Sequence, residues 1–357
     1  MQSAPFIHRS TRSGLSPEHR QLLRGVSRSF DLSIRLLPAK LQAPVAIGYL
    51  LARATDTVAD TTALPLAERQ ELLELMTRVI ASPDIEAEQA REIKQLTQAF
   101  AAQQTDSNER ALMHALPQCM PLLQTLDEAD QASVRLVLSH ITQGQHQDMA
   151  RFGPGLHALN TQTELDHYTW QVAGSVGEFW TELCGRHLPG YTLLAQDEML
   201  RLGRRFGMGL QRLNILRDAG SDLAAGRCYW PLETLSTAGL NAEQLANAAK
   251  TAHASSLQAL TPLYAQWIEH TQSQLADGMR YALALKPLRL RVASALPALI
   301  GARTLAMLRQ AGPMALTQHI KMPRHEVRWL LWQMALGRGS AGALERLFKK
   351  LSGHDLA

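Results

Sequence analysis

Two aspartate pairs with one spacing, far apart in the chain, restrict what this sequence can fold into. The first is Asp56-Thr-Val-Ala-Asp60, within the largely apolar run that opens Tyr49-Leu-Leu-Ala-Arg53. The second is Asp218-Ala-Gly-Ser-Asp222, after Gln211-Arg-Leu-Asn214-Ile-Leu-Arg217. Aspartates at i and i+4 share one helix face, with a rise of about 6 Å between them. Carboxylates that close repel each other, so an otherwise apolar helix gains nothing by holding them unless a cation binds there. If the two helices face each other, four carboxylates converge on one hard, oxygen-lined cavity. Such a cavity suits Mg2+ and a phosphorylated substrate that arrives with it. Two solvated acidic turns are the plainer alternative. The arginine before each pair, Arg53 and Arg217, and the apolar neighbours favour the cation.

The rest of the chain reads as helix. It is rich in Ala, Leu, Gln, Glu and Arg, with apolar residues at helical spacing and no sustained period-two alternation, so an all-α fold with essentially no sheet is expected. Ser16-Pro17-Glu18 and Ser82-Pro83-Asp84 read as helix starts, and Pro65, Pro117 and Pro189-Gly190 as breaks. No linker-like run divides the chain, and the aspartate helices must meet to form one site. A single domain over 16–352 is therefore expected, with 1–15 and 353–357 flexible. With 46% hydrophobic and 19% charged residues the balance is that of a folded globular protein. No uncharged apolar stretch reaches the length of a membrane-spanning helix, and Met1–Arg9 is too polar for a secretion signal. Three cysteines without a CxxC fit a reducing cytoplasm. The net charge is +4, but the arginines are scattered along helix faces or sit beside the aspartates, without an aromatic-interleaved basic block, which argues against nucleic acid and suits a diphosphate or anionic lipid.

Other segments carry chemistry with less force. Ser27-Arg28-Ser29-Phe30 and Arg35 place two guanidinium groups seven residues apart, near one face, where they suit phosphate oxygens or simply solvent. In Tyr168-Thr-Trp-Gln-Val172-Ala173-Gly174-Ser-Val176-Gly177 the small residues permit close approach of another element. Tyr168 is then a polar tip in a tight interior, or a core tyrosine bonded to a carbonyl. Gly207-Met-Gly209 lacks a preceding strand and a third glycine, so helix contact is a better reading than dinucleotide binding. Gly226-Arg227-Cys-Tyr-Trp230-Pro231 is a sharp exit that would carry Arg227 back over the acidic site. Glu164-Leu-Asp-His167 has di-iron spacing but no second copy.

Together these motifs, in this order from about Ser27 to about Arg324, resemble the squalene/phytoene synthase family, and within it the squalene synthases. The resemblance implies an all-helical, single-domain isoprenoid-synthase bundle around a central cavity. It implies a Mg2+-dependent head-to-head condensation of two farnesyl diphosphates through presqualene diphosphate to squalene, with reduction by NADPH. By the same resemblance Asp56, Asp60, Asp218 and Asp222 are the metal carboxylates. Arg28, Arg53, Arg217 and Arg227 are diphosphate partners, and Tyr168 handles the proton. Phe30, Tyr49, Gln211 and Asn214 line the cavity, with Gln145 and Asp148 as further candidates. His319-Ile-Lys321-Met-Pro-Arg324 resembles a basic flap implicated in NADPH use, so Asn214, Lys321 and Arg324 are the expected cofactor residues. Ser221 stands where squalene synthases often carry an acid, and Ala293 where an aromatic residue often shields the cation. These departures keep open a non-reductive synthase releasing presqualene diphosphate, dehydrosqualene, hydroxysqualene or phytoene, and a silent prenyl-lipid-binding subunit. The helix Val327–Met334 reads as core, or as a peripheral patch that hands product to the inner face of a membrane.

Overall fold

The structure, a computed structural model, describes residues 15–27, 29–61, 64–251 and 254–353, with only the backbone described at 29–32 and 254–256. The expected flexible ends lie almost wholly outside the described residues. The chain forms two compact units, one ending at Leu138 and the other starting at Ser139. The first holds α1 (Pro17–Ser27), α2 (Ser29–Leu36), α3 (Ala39–Asp60), α4 (Leu66–Ala81), α5 (Ala87–Gln103), α6 (Ser107–Cys119) and the start of α7 (Glu128–Arg151). The second continues with α8 (Gln162–Thr169), α9 (Ser175–His187), α10 (Gln196–Ala224), α11 (Leu232–Thr237), α12 (Ala242–Thr251) and α13 (Ala254–Ala259). It closes with α14 (Thr261–Ala284), α15 (Leu288–Ala311), α16 (Arg324–Leu336) and α17 (Ala341–Ser352). The all-α expectation holds. The departures among the described residues are a parallel pair of two-residue strands, β1 (His157–Ala158) and β2 (Arg227–Cys228), and an isolated antiparallel bridge between Thr192 and Leu285.

Local chemistry sets the helix ends. Ser16 Oγ accepts from the His19 N–H at 3.2 Å with Pro17 at the first helical position, as its sequence implies. Ser82-Pro83-Asp84 has the same wording but closes α4. The next helix starts at Ala87, where Glu86 and Gln89 cap each other reciprocally and complete the stronger signal. Pro117 is not a break either: it lies near the end of α6, which tightens into a 3-10 turn over Met120–Thr125.

In the first unit, α3 is buried on most sides, through Leu41, Val45, Ile47, Leu50, Leu51, Ala54 and Val58. Its one polar stripe is Tyr49, Arg53, Asp56 and Asp60, spaced 4, 3 and 4 residues apart. In the second unit, α10 is the axis. It packs on α9, α14 and α15 and spans about 43 Å at helical rise. Close approach is enforced by glycine: a Cβ at Gly207 would stand 2.1 Å from the Ala173 carbonyl oxygen, and one at Gly177 1.9 Å from that of Gly203. These are the helix contacts that Gly207 and Ala173-Gly174-x-x-Gly177 imply. Between α8 and α9 the chain widens into a π turn, Trp170–Gly174, where the Ser175 N–H reaches back five residues to Trp170. The core here includes Trp230 stacked on Trp267 at 4.7 Å.

Two helices bear on the expected lack of a membrane span and on the expected core helix near the C-terminal end. Leu288–Thr317 is, by length and a mean hydropathy of 1.2, apolar enough to cross a membrane; 61% of that window is buried, in keeping with a core helix. The tryptophan-bearing helix α16 buries only Leu330 and Met334, while Trp329 and Trp332 are 37% and 69% exposed. Residues at 330 and 334 share one face, and the tryptophans fall on another; apolar content alone could not say which face turns inward.

Candidate active site

On α3, Arg53 Nη1 donates to Asp56 Oδ2 at 2.5 Å, and its Nη2 donates to Glu109 of α6. One guanidinium is thus divided between two carboxylates. The surrounding protein strips Asp56 of water and Asp60 repels its charge, so its carboxyl is pushed up to about 6 even though Arg53 pulls the other way. The side chain nevertheless remains 44% exposed, and Asp60 is exposed. Desolvation also raises the Tyr49 phenol, with Arg53 opposing. Its hydroxyl lies 3.4 Å from the Val26 carbonyl oxygen. Glu109 is a member of this cluster that sequence reasoning missed, since nothing in its local pattern links it to Arg53.

The second pair sits on the partly exposed face of α10, while Leu213, Ile215, Leu216, Ala219 and Leu223 are buried. Asn214 Nδ2 donates to Gln211 Oε1 at 3.3 Å. Arg217 grips Asp218 with two nitrogens, at 2.8 and 2.5 Å. Gly226, at a φ of 81°, ends the helix sharply. A Cβ there would also lie 2.3 Å from the Gly155 carbonyl oxygen, beside the β1–β2 pair. The exit folds Arg227 back, so that its Nη2 donates to Asp222 Oδ1 at 2.8 Å. Gly220, between the aspartates, has a reason of its own: a Cβ would stand 2.0 Å from the Leu316 carbonyl oxygen. The turn Gly312–Thr317 therefore packs against this helix, and Lys321 and Arg324 follow within a few residues, both exposed. No hydrogen bond or ion pair among the described residues joins Lys321 or Arg324 to Asn214.

Tyr168, on α8, stacks on Tyr229 with centroids 5.2 Å apart, and the Tyr229 hydroxyl donates to Asp148 of α7. Burial, then Tyr168 and Asp148, push the Tyr229 phenol well above its ordinary range. The sequence reading named Asp148 but missed Tyr229, which lies 81 residues from it. Nearby in the chain are buried amides that lack partners among the described residues: Gln145 Oε1 and both polar atoms of Gln171. Arg28 and the side chain of Phe30 lie outside the described residues.

The structure thus gathers Tyr49, Arg53, Asp56 and Asp60 in the first unit. In the second it gathers Gln211, Asn214, Arg217, Asp218, Asp222 and Arg227 along α10 and its exit. Three of the four aspartates are ion-paired to the arginine that the sequence placed beside them. Among the described residues no three His, Cys, Asp or Glu side chains form a metal cage. The donors present, two carboxylates on one face of each helix, are hard oxygen ligands of the kind Mg2+ takes together with substrate phosphates and waters.

A squalene synthase of Cyberlindnera jadinii is 23% identical over 93% of this chain and 70% of its own length. "Squalene synthase LSS" of Botryococcus braunii is 30% identical over 60% of this chain, which spans less than half, 42%, of that protein. Among solved structures, a complex of TcSQS with the ligand E5700 superposes with a TM-score of 0.72 at 19% identity, covering 93% of this chain and 88% of that one. A dehydrosqualene synthase in complex with ligand superposes at 0.55 and 18% identity, covering 94% and 96%. The family model "Squalene/phytoene synthase" matches residues 23–333, and the chain belongs to that family.

Proposed function

We propose that this chain is a transferase that joins two farnesyl diphosphates head to head, forming presqualene diphosphate and then squalene. The observation that carries the reading is the repeated device of an aspartate pair on one helix face, with Arg53 on the first and Arg217 and Arg227 on the second. Asp56 and Asp60 would hold Mg2+ against one diphosphate, and Asp218 and Asp222 against another. Mg2+, when bound, would supply positive charge that weakens the bond to a leaving diphosphate. Arg53, Arg217 and Arg227, which now cover the carboxylates, are placed to turn to phosphate oxygens once those carboxylates take a cation. The ionised allyl group is attacked by the double bond of the second substrate, and loss of a proton closes the cyclopropane. Tyr168 is the group for that proton. Its ring is fixed by the stack on Tyr229, which Asp148 in turn anchors.

NADPH, when bound, would supply the hydride that yields squalene. Lys321 and Arg324 offer exposed positive charge for its phosphates, and Asn214 a polar contact. A synthase that stops before reduction is the second reading, favoured by Ser221 in the second motif and by the likeness to a dehydrosqualene synthase. The hydrocarbon product suits a cytoplasmic enzyme working against the inner face of a membrane. Product analysis by mass spectrometry decides between these readings. Farnesyl diphosphate and Mg2+ should give squalene only when NADPH is added. An unreduced C30 product with or without NADPH would remove the reductive half, and no product would remove the reading altogether.

A further inference from the structure

We infer that the outward face of α16, with the neighbouring start of α15, is a docking surface for an anionic lipid bilayer. Trp329, Trp332 and Leu336 recur at helical spacing and are 37%, 69% and 70% exposed. Leu288, 49% exposed, continues the patch: Gly339, just past the end of α16, packs so closely against it that a Cβ there would lie 2.7 Å from its Cδ1. Exposed apolar side chains this large and this close together are costly in water and mark an interface.

Charge selects the occupant. Residues 321–350 carry seven Lys and Arg against two Glu, whereas the whole chain carries 36 against 32. The remainder of the chain therefore has 29 basic and 30 acidic residues, and this segment alone accounts for the positive balance. Both of its acids are already paired, Glu326 with Arg303 and Glu345 with Lys349. Arg328 and Lys350 are exposed, and the Lys350 ammonium lies 5.2 Å from the centre of the Trp329 ring. Tryptophan and leucine flanked by basic groups match the boundary between acyl chains and anionic headgroups, where the ring enters the interface and the ammonium meets phosphate. A second copy of the chain would bring the same positive surface and be repelled.

This assignment rests on the surface alone, and its test reads no turnover, so its failure leaves the proposed reaction untouched. The full chain is sedimented with vesicles of phosphatidylcholine containing about 30% phosphatidylglycerol, and with phosphatidylcholine alone. Binding is expected only to the anionic vesicles, with release near about 0.5 M NaCl. W332Q/L336Q and R328Q/K350Q should each lower the bound fraction about tenfold with an unchanged circular dichroism spectrum. Equal binding by all three proteins, or no binding by the parent chain, would overturn the assignment. So would conversion of a dimer to a monomer by W332Q/L336Q, which would make the patch a self-interface.

Discussion

The two aspartate faces share a spacing but not an electrostatic arrangement. On α10 each carboxylate has a guanidinium of its own, Arg217 for Asp218 and Arg227 for Asp222. On α3 a single guanidinium, that of Arg53, serves both Asp56 and Glu109, and Asp60 adds repulsion that pushes Asp56 to about 6. The second face resembles a closed ion-pair set from which arginines must be displaced. On the first, burial and Asp60 raise the Asp56 carboxyl, and an incoming cation would favour its ionised form. On the proposed reading, cation binding on α3 would be sensitive to protons, and on α10 to the anion that draws the arginines away.

The largest effect that tests this contrast is loss of the carboxylates. Asp56→Asn and Asp222→Asn should each lower turnover by about 10³ or more with an unchanged melting profile. Near-normal activity in either would end the role assigned to that face. Next is Tyr168→Phe, expected to cost about 10²-fold in kcat with little change in KM. A smaller but sharper effect distinguishes the faces by pH. A cation needs the ionised carboxylate, so protonation of Asp56 as pH falls through about 6 should raise the Mg2+ concentration for half-activity about tenfold per unit below that. Glu109→Gln removes a charge that raises Asp56, so the acid limb should move to lower pH. An unmoved limb would detach Glu109 from the site. Smallest is Tyr229→Phe, which keeps the stack on Tyr168 but removes the hydroxyl that anchors it to Asp148. A loss of a few-fold in kcat is expected, and a larger rise in KM would mean that Tyr229 contacts substrate instead.

The aspartates, their arginines and the helical fold were legible because helix periodicity puts i and i+4 on one face regardless of what packs around them. The return of Arg227 onto Asp222 was legible for a similar reason, since Gly226 permits the turn that brings it back. Contacts set by tertiary packing were not. Tyr229 meets Asp148 across 81 residues, and Glu109 meets Arg53 across 56. The π turn after Tyr168 inserts one residue into a helical register without altering its composition. The sequence left α16 as either core or a peripheral patch, because an amphipathic pattern with apolar residues on two faces does not say which face is buried. Pro117 was misread because a proline near a helix end is compatible with a tightened last turn.

The central claim is that each aspartate face holds its own Mg2+-diphosphate. Calorimetric titration with farnesyl thiodiphosphate, a substrate analogue whose leaving group resists ionisation, tests it directly in the presence of Mg2+. The parent chain should bind two molecules, Asp56→Asn/Asp60→Asn one, and Asp218→Asn/Asp222→Asn one, with the remaining site in the α10 variant weakening as pH falls through about 6. Retention of two sites in either variant, or two sites indifferent to Mg2+, would contradict the account.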